Sequence, residues 1–164
     1  MGNRLLHQSH VSGRRRRLPQ GCRDITPSRD SFRGLFMKIL FIASEVAPFA
    51  KTGGLADVAG SLPKELKRLG HDVRIILPFY RIGSAGEGTL ATNVHHLKVQ
   101  LGPDIETGTV HETSLDGIPV YLLKKEEFFD REFLYGTPAG DYPDNPRRFA
   151  FFCRSVLEFL RAVD

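Results

Sequence analysis

The sequence is poor in features that define several classes of protein. It contains no tryptophan, only two cysteines (Cys22 and Cys153), and no apolar run near the roughly 18 residues that a membrane helix needs. Two cysteines cannot build a disulfide framework, and they fit a reducing compartment. We therefore expect no membrane span, and the 41% hydrophobic content is sufficient for the core of one ordinary domain.

Two familiar phosphate-binding signatures are also absent. The chain has neither G-x-G-x-x-G nor the phosphate loop G-x-x-x-x-G-K-[ST]. The second predicted strand ends at Leu77-Pro78, where a dinucleotide-binding enzyme would carry an acidic residue. An NAD-type oxidoreductase is one function class that we considered, and both observations argue against it.

The net charge of +4 is unevenly distributed along the chain. Residues 1–36 carry eight arginines and two acidic residues, whereas residues 37–164 carry 15 basic and 17 acidic ones. We expect residues 1–36 to be a disordered basic leader. Three origins stay open: translation from a start codon upstream of the true start at Met37, an organelle transit peptide, or a nonspecific nucleic-acid-binding tail at Arg14–Arg17.

A strand–helix–strand unit follows the leader. Residues 37–43 form a short apolar run, and its contiguous apolar residues 39–42 predict a parallel strand buried on both faces. Residues 72–77 alternate and predict a second strand, and Gly70 is placed to end the helix between them. The helix should bury one apolar stripe against the sheet. That predicted stripe comprises Leu55, Val58, Ala59, Leu62, Leu66 and Leu69.

The turn between the first strand and this helix carries the candidate chemistry. Lys51 and Thr52 precede Gly53 and Gly54, where a ligand can approach the backbone because no Cβ intervenes. A helix N-terminus offers free N–H groups and the positive end of a dipole. A phosphate or sugar site is one interpretation, and a tight turn beside a surface lysine is the other.

Residues 37–58, MKILFIASEVAPFAKTGGLADV, resemble the start of a bacterial glycogen or starch synthase. The resemblance extends over residues 37–164. It implies a glucosyltransferase that moves glucose from ADP-glucose to the non-reducing end of an α-1,4-glucan with retention. It also implies binding of ADP-glucose by Lys51, Thr52, Gly53 and Gly54, and support of that loop by Asp57.

The resemblance further implies an α/β fold: a Rossmann-like parallel sheet with an inserted β-hairpin, forming an incomplete N-terminal half of a GT-B glycosyltransferase. It implies no cofactor, no metal ion, no nucleic acid, no membrane and a cytoplasmic location, or a plastid if residues 1–36 are a transit peptide. The family's second domain has no counterpart in the 164 residues. We therefore expect no transfer by this chain alone, and a non-catalytic module that binds nucleotide sugar or glucan is the alternative function.

Beyond the second strand, residues 82–92 predict a flexible loop. Three β-like segments follow at 94–101, 107–115 and 118–123, and Asp116-Gly117 is a strong hairpin signal. The last segment predicts a return to the parallel sheet. His95, His96 and His111 have no Cys or carboxylate partners at metal-ligand spacing, so we expect them on a solvent-exposed strand face.

A second informative block lies near the end of the chain. Asn145 is a candidate N-cap, with Pro146 at the first helical position. The resemblance places Tyr135, Asp144 and Asn145 on the acceptor side of the cleft. The helix that follows should bury one apolar stripe in the core. It comprises Phe149, Phe152, Cys153, Val156, Leu157 and Leu160.

Overall fold

The computed structural model describes residues 36–81 and 94–163. The chain divides into two units, residues 1–35 and residues 36–164, and the description below concerns the second. The predicted leader, apart from its last residue, and the predicted loop at 82–92 lie outside the described residues. No helix among the described residues is long and apolar enough to cross a membrane.

The predicted strand–helix–strand unit is present. Strand β1 (Lys38–Ile42) pairs in parallel with β2 (Asp72–Pro78), and helix α1 (Gly54–Arg68) connects them. Helix α1 ends where the sequence indicates: Gly70 has a φ of +98°, and the N–H groups of Gly70 and His71 donate to the carbonyls of Lys67 and Leu66. This double hydrogen bond is the Schellman arrangement, which needs a left-handed residue after the helix.

An antiparallel meander extends the sheet. Strands β3 (Val94–Leu101), β4 (Asp104–Leu115) and β5 (Ile118–Lys124) pair in sequence, and β5 also pairs in parallel with β2. The order across the five-stranded sheet is therefore β1-β2-β5-β4-β3. This arrangement confirms the prediction of a Rossmann-like parallel sheet with an inserted β-hairpin.

Both turns of the meander involve only two residues. Asp116 and Gly117 have φ values of +49° and +74°, as a type I′ hairpin turn requires. The earlier turn uses Gly102 and Pro103, since Leu101 already pairs with Asp104. Strand β4 therefore begins three residues earlier than the sequence predicts.

The chain then crosses to one face of the sheet. Helix α2 (Glu126–Phe129) follows β5, and the two-residue strands β6 (Gly136–Thr137) and β7 (Gly140–Asp141) form a small hairpin. Helix α3 (Asn145–Ala162) packs against β3 and β4. The core lies between the sheet and these helices, and aromatic side chains such as Phe129, Phe151 and Phe159 are fully buried in it.

The predicted buried stripe of α1 is largely wrong, since of its members only Ala59 is buried and Leu66 is half-buried. The residues of α1 that are buried are small, whereas Leu55, Val58, Leu62 and Leu69 are exposed. A Cβ at Gly60 would lie only 2.6 Å from the Ala47 carbonyl oxygen, so the helix packs more closely than larger side chains permit. The buried positions are Ala56, Ala59, Gly60 and Pro63.

The predicted stripe of α3 is also largely wrong. Phe152 and Val156 are buried as expected, but Cys153, Leu157 and Leu160 are exposed. Phe149 is half-buried, and the buried face is rotated to include Arg148, an unexpected core residue whose guanidinium donates to the carbonyls of Phe128 and Leu134. Its members are Arg148, Phe151, Phe152, Ser155, Val156 and Phe159.

Strand β1 is parallel, as predicted, but it is not buried on both faces. Within the described residues β1 pairs only with β2, so it forms an edge of the sheet. Its three central residues are half-buried, and 51% of Ile42 is exposed. The contiguous apolar run thus identifies the strand but not its depth in the sheet.

Candidate functional site

The candidate loop lies at the carboxyl end of β1. Residues 43–53 connect β1 to α1, and an isolated bridge between Val46 and Ala50 closes the loop on itself. The Ala47 N–H donates to the Ala56 carbonyl, which ties the loop to the first turn of α1. In parallel α/β sheets, ligands bind outside the carboxyl ends of the strands, so the loop occupies a position typical of a binding site.

Lys51 is exposed and forms an ion pair with Asp57. Its Nζ lies 2.7 Å from Oδ1 and 2.9 Å from Oδ2 of Asp57, which is in the first turn of α1. The two side chains are 53% and 58% exposed, so the pair is weak and easily exchanged for another partner. The structure therefore brings Lys51 and Asp57 together at the entrance of the site.

Thr52 and Gly53 are held by a residue that the sequence analysis did not identify. Glu45 is only 4% exposed, and its carboxylate accepts hydrogen bonds from the Thr52 N–H at 2.6 Å, the Thr52 hydroxyl at 2.7 Å and the Gly53 N–H at 3.4 Å. One sequence signal for it existed: Glu45 is an acidic residue three positions after the apolar strand β1, and ligands bind at that end of such a sheet.

Gly53 and Gly54 border open space. A Cβ at either position would meet no atom within 4 Å. The φ of Gly53 is −153°, an extended value that any residue adopts, so the turn itself does not require glycine there. Glycine at these positions leaves the backbone accessible to a ligand.

Tyr135 reaches the same loop from the other end of the chain. Its hydroxyl donates to Glu45 at 2.6 Å and lies 3.0 Å from Ser44 Oγ. Burial raises the pKa of Tyr135 to about 12, and the adjacent Glu45 carboxylate acts in the same direction. The hydroxyl therefore stays protonated and remains a donor at neutral pH.

Asp144 and Asn145 brace the structure and do not cap α3 with their side chains. The structural N-cap is Asp144 rather than Asn145, and no side-chain capping bond is present there. Asp144 accepts two hydrogen bonds from Arg131, while Asn145 donates to the Tyr135 carbonyl at 2.7 Å. The predicted cap is wrong because both side chains are engaged by other segments.

Arg148 completes this brace from inside the core. Its guanidinium donates to the carbonyls of Phe128 and Leu134 and to Asn145 Oδ1, at distances of 2.6 to 3.0 Å. Burial lowers its pKa, since the charged form loses contact with water. These contacts fix residues 128–145 and thus the position of Tyr135 beside the loop.

The three candidate histidines do not share one environment. His95 packs edge-on against Phe159 of α3 and lies 3.2 Å from Glu112, so its predicted solvent-facing position is wrong. His96 and His111 point to the other face of the sheet, where burial lowers the pKa of His111. Among the described residues no group of three or more His, Cys, Asp or Glu side chains could hold a metal ion.

Comparison with known proteins places this site in a family. Residues 38–164 match the family model of the starch synthase catalytic domain. The chain is 55% identical over 128 residues to glycogen synthase 2 of Geobacter sulfurreducens and 56% identical over 128 residues to glycogen synthase 2 of Geobacter metallireducens. These matches cover 78% of this chain and 26% of each relative, so the chain spans about a quarter of their length.

A solved structure has the same architecture. It is the catalytic domain of starch synthase IV from Arabidopsis thaliana bound to ADP and acarbose, with a TM-score of 0.66 and 31% identity. The match covers 78% of this chain and 26% of that one. The sheet described above is therefore part of a GT-B glycosyltransferase fold, and the chain belongs to the glycogen and starch synthase family.

Proposed function

We propose that this chain is part of a glucosyltransferase that moves glucose from ADP-glucose to an α-1,4-glucan, with residues 51–54 on the donor side and Tyr135, Asp144 and Asn145 on the acceptor side. The observation that carries the proposal is the loop after β1, which presents Lys51 and two unobstructed glycines at the N-terminus of α1. The solved relative was bound to ADP and acarbose, and the bacterial relatives are named glycogen synthases. The bacterial relatives also support a cytoplasmic location.

The reaction breaks the bond between C1 of glucose and the phosphate oxygen. It forms a bond from C1 to a hydroxyl oxygen of the glucan, and the proton of that hydroxyl is released. Negative charge develops on the departing ADP. Groups that are positive before the reaction begins stabilise this charge most effectively, because they need no reorganisation. Lys51 and the first-turn N–H groups of α1 have this property.

In this mechanism Lys51 exchanges partners. In the structure it binds Asp57, and the exposed pair contributes no more than about 1 kcal/mol. When the donor's phosphate arrives, Lys51 releases Asp57 and binds the phosphate. Asp57 then stays near the N-terminal end of α1, where the dipole favours a carboxylate.

A hybrid enzyme provides the test. In it, the matching 128-residue segment of the Geobacter sulfurreducens glycogen synthase 2 is replaced by residues 37–164 of this chain. We expect this hybrid synthase to transfer labelled glucose from ADP-glucose to glycogen. A folded hybrid that binds ADP-glucose and glycogen without turnover would instead support the alternative of a non-catalytic binding module. A folded hybrid that does neither contradicts both.

A further inference from the structure

The Glu45 carboxylate joins two distant parts of the chain. Oε2 accepts the N–H groups of Thr52 and Gly53, while Oε1 accepts the hydroxyls of Thr52 and Tyr135. Tyr135 is 90 residues away in the sequence. The donor loop and the segment before α3 therefore share a single buried acceptor.

Glu45 has no capacity left for a substrate. A carboxylate offers about four lone-pair sites, and four donors from the chain occupy them. The residue is 4% exposed, and no lysine, arginine or histidine among the described residues forms a salt bridge with it. Burial of a charge is costly unless hydrogen bonds compensate for it, so the four donors must stay in place for the carboxylate to remain ionised there.

The same contacts restrict how the loop can bind an anion. The N–H groups of Thr52 and Gly53 point to Glu45 and are not available to a phosphate. Lys51 and the N–H groups of the first turn of α1 remain available to bind a phosphate. The directions in which these groups point depend on the backbone conformation at Thr52 and Gly53. Because Tyr135 shares the carboxylate, a displacement of Tyr135 changes the hydrogen bonding of the loop.

We propose that Glu45 is a positioning residue, which fixes the Lys51–Gly54 loop for the donor's phosphate and couples this loop to Tyr135. The inference rests on the proposed function for its consequence in catalysis. The hydrogen bonding between Glu45 and the loop does not rest on it: the amide resonance of Thr52 should respond to the charge of Glu45 whether or not the chain takes part in glucosyl transfer. Two separate experiments therefore test the two claims.

The first experiment is an NMR titration of the complete 164-residue chain. Burial acts to raise the pKa of Glu45, but the hydrogen bonds from Tyr135, Thr52 and Gly53 outweigh it and keep the pKa below the usual value. We expect the Thr52 and Gly53 amide resonances to titrate together at a pH below that of an ordinary glutamate. Glu45→Gln should abolish the titration, whereas Glu65→Gln, a change at an exposed acid of α1, should leave it intact.

Tyr135→Phe provides a second variant that retains the carboxylate. Loss of the hydroxyl removes one hydrogen bond to the ionised form, so the Thr52 midpoint should move to higher pH. Tyr142→Phe is the matched control, because the Tyr142 ring packs on Arg131 and Arg148 and does not touch Glu45. A Thr52 amide that does not titrate, or that titrates identically in Tyr135→Phe, overturns the proposal.

The second experiment measures kinetics of the hybrid synthase. Glutamine can still accept the backbone N–H bonds, so Glu45→Gln should fold, as circular dichroism would verify. We expect kcat/KM for ADP-glucose to fall by about tenfold or more, as the loss of one charge-assisted hydrogen bond predicts. The KM for glycogen should not change. Wild-type kinetics in this variant overturn the positioning role, whereas an inactive parent hybrid overturns the proposed function and leaves the titration as the test of Glu45.

Discussion

Lys51 and Asp57 form an ion pair at the entrance of the candidate site, with more than half of each side chain exposed. Such an exposed pair contributes little to stability, so Lys51 can leave Asp57 at little cost when it binds a phosphate. The flexible stem of lysine allows its ammonium group to move from one anion to another without a backbone change. The functional weight of this pair therefore lies in ligand binding.

Replacement of this lysine tests that interpretation. In the hybrid synthase, Lys51→Gln removes the charge but retains most of the side-chain length and a hydrogen-bond donor. Charge-assisted hydrogen bonds contribute about 1.5–3 kcal/mol, so we expect kcat/KM for ADP-glucose to fall roughly ten- to hundredfold. A fall in kcat indicates a contact that strengthens as ADP leaves, while a rise in KM alone indicates equal contact in the ground state.

Lys98→Gln is the matched control, since Lys98 is an exposed lysine on β3 outside the loop. It should leave both donor parameters unchanged. If Lys51→Gln alters both parameters by less than twofold, the lysine has no role at the phosphate. The apparent affinity for glycogen should be the same in all three proteins.

At the scale of elements, α1 owes its position to small side chains. Ala56, Ala59 and Gly60 are buried, and a Cβ added at Gly60 would lie only 2.6 Å from the carbonyl oxygen of Ala47. Ala47 belongs to the loop that carries the candidate site. Close packing of the helix on this loop therefore links the stability of α1 to the geometry of the site.

Alanine substitutions at two glycines of α1 separate the effect of close packing on stability from the effect of backbone flexibility in the unfolded chain. Gly60→Ala places a methyl group 2.6 Å from a backbone oxygen, and we expect a loss of about 1–3 kcal/mol in the free energy of unfolding. Gly54→Ala, in the first turn of the same helix, meets open space and should be neutral or stabilising by up to about 1 kcal/mol. Urea unfolding of both variants measures the difference, and equal effects would contradict the packing argument.

The segment from α2 to α3 depends on the buried guanidinium of Arg148. Arg148→Met retains much of the volume but leaves the carbonyls of Phe128 and Leu134 without their donor. Unpaired buried polar groups cost about 1–3 kcal/mol each, so we expect the loss of both bonds to lower the free energy of unfolding by at least about 2 kcal/mol. Arg161→Met, which removes an exposed pair with Glu158, should change stability by less than about 0.5 kcal/mol in the same urea experiment.

At the scale of the whole molecule, two apolar surfaces are not covered by any of the residues that the structure describes. The free edge of β1 includes Ile42, and one face of α1 includes Leu55, Val58 and Leu62. A parallel strand is normally buried between neighbours, and an exposed edge can pair with another chain. The relatives are about four times as long as the matching segment, so in them further chain is available to cover these surfaces.

We therefore expect the isolated 164-residue chain to self-associate. Ile42→Lys adds a charge at the free edge and should shift sedimentation-velocity profiles toward monomer. Ile105→Lys is the control, because Ile105 is equally apolar and 66% exposed but lies on β4, far along the sheet from β1. If both variants have the same effect, association does not depend on the β1 edge.

The isolated chain should also be inactive. It spans 26% of the relatives, and a transferase that binds donor and acceptor across a cleft needs groups from both sides. We expect no transfer of labelled glucose from ADP-glucose to glycogen beyond a heat-killed sample. Clear transfer by the purified chain would show that the described unit contains a complete catalytic centre.

Local sequence determined most elements of this protein. The apolar run of β1, the alternation of β2, Gly70 and the Asp116-Gly117 turn are signals set by neighbouring residues, because backbone conformation and turn geometry depend on short-range sterics. The family was indicated separately, by the resemblance of residues 37–58 to the start of known glycogen and starch synthases. The family model confirms that assignment.

Tertiary structure decided which faces of the helices are buried and where β1 lies in the sheet, which the pattern of each element alone could not predict. The buried faces of α1 and α3 depend on which side chains fit against the sheet and Ala47, and the edge position of β1 depends on its neighbours. The role of Glu45 is visible only in the tertiary structure, because one of its hydrogen-bond donors is Tyr135, which is 90 residues away in the sequence. The sequence predicted that residues 118–123 return to the parallel sheet, but their pairing with β2 is a long-range contact that only the tertiary structure shows.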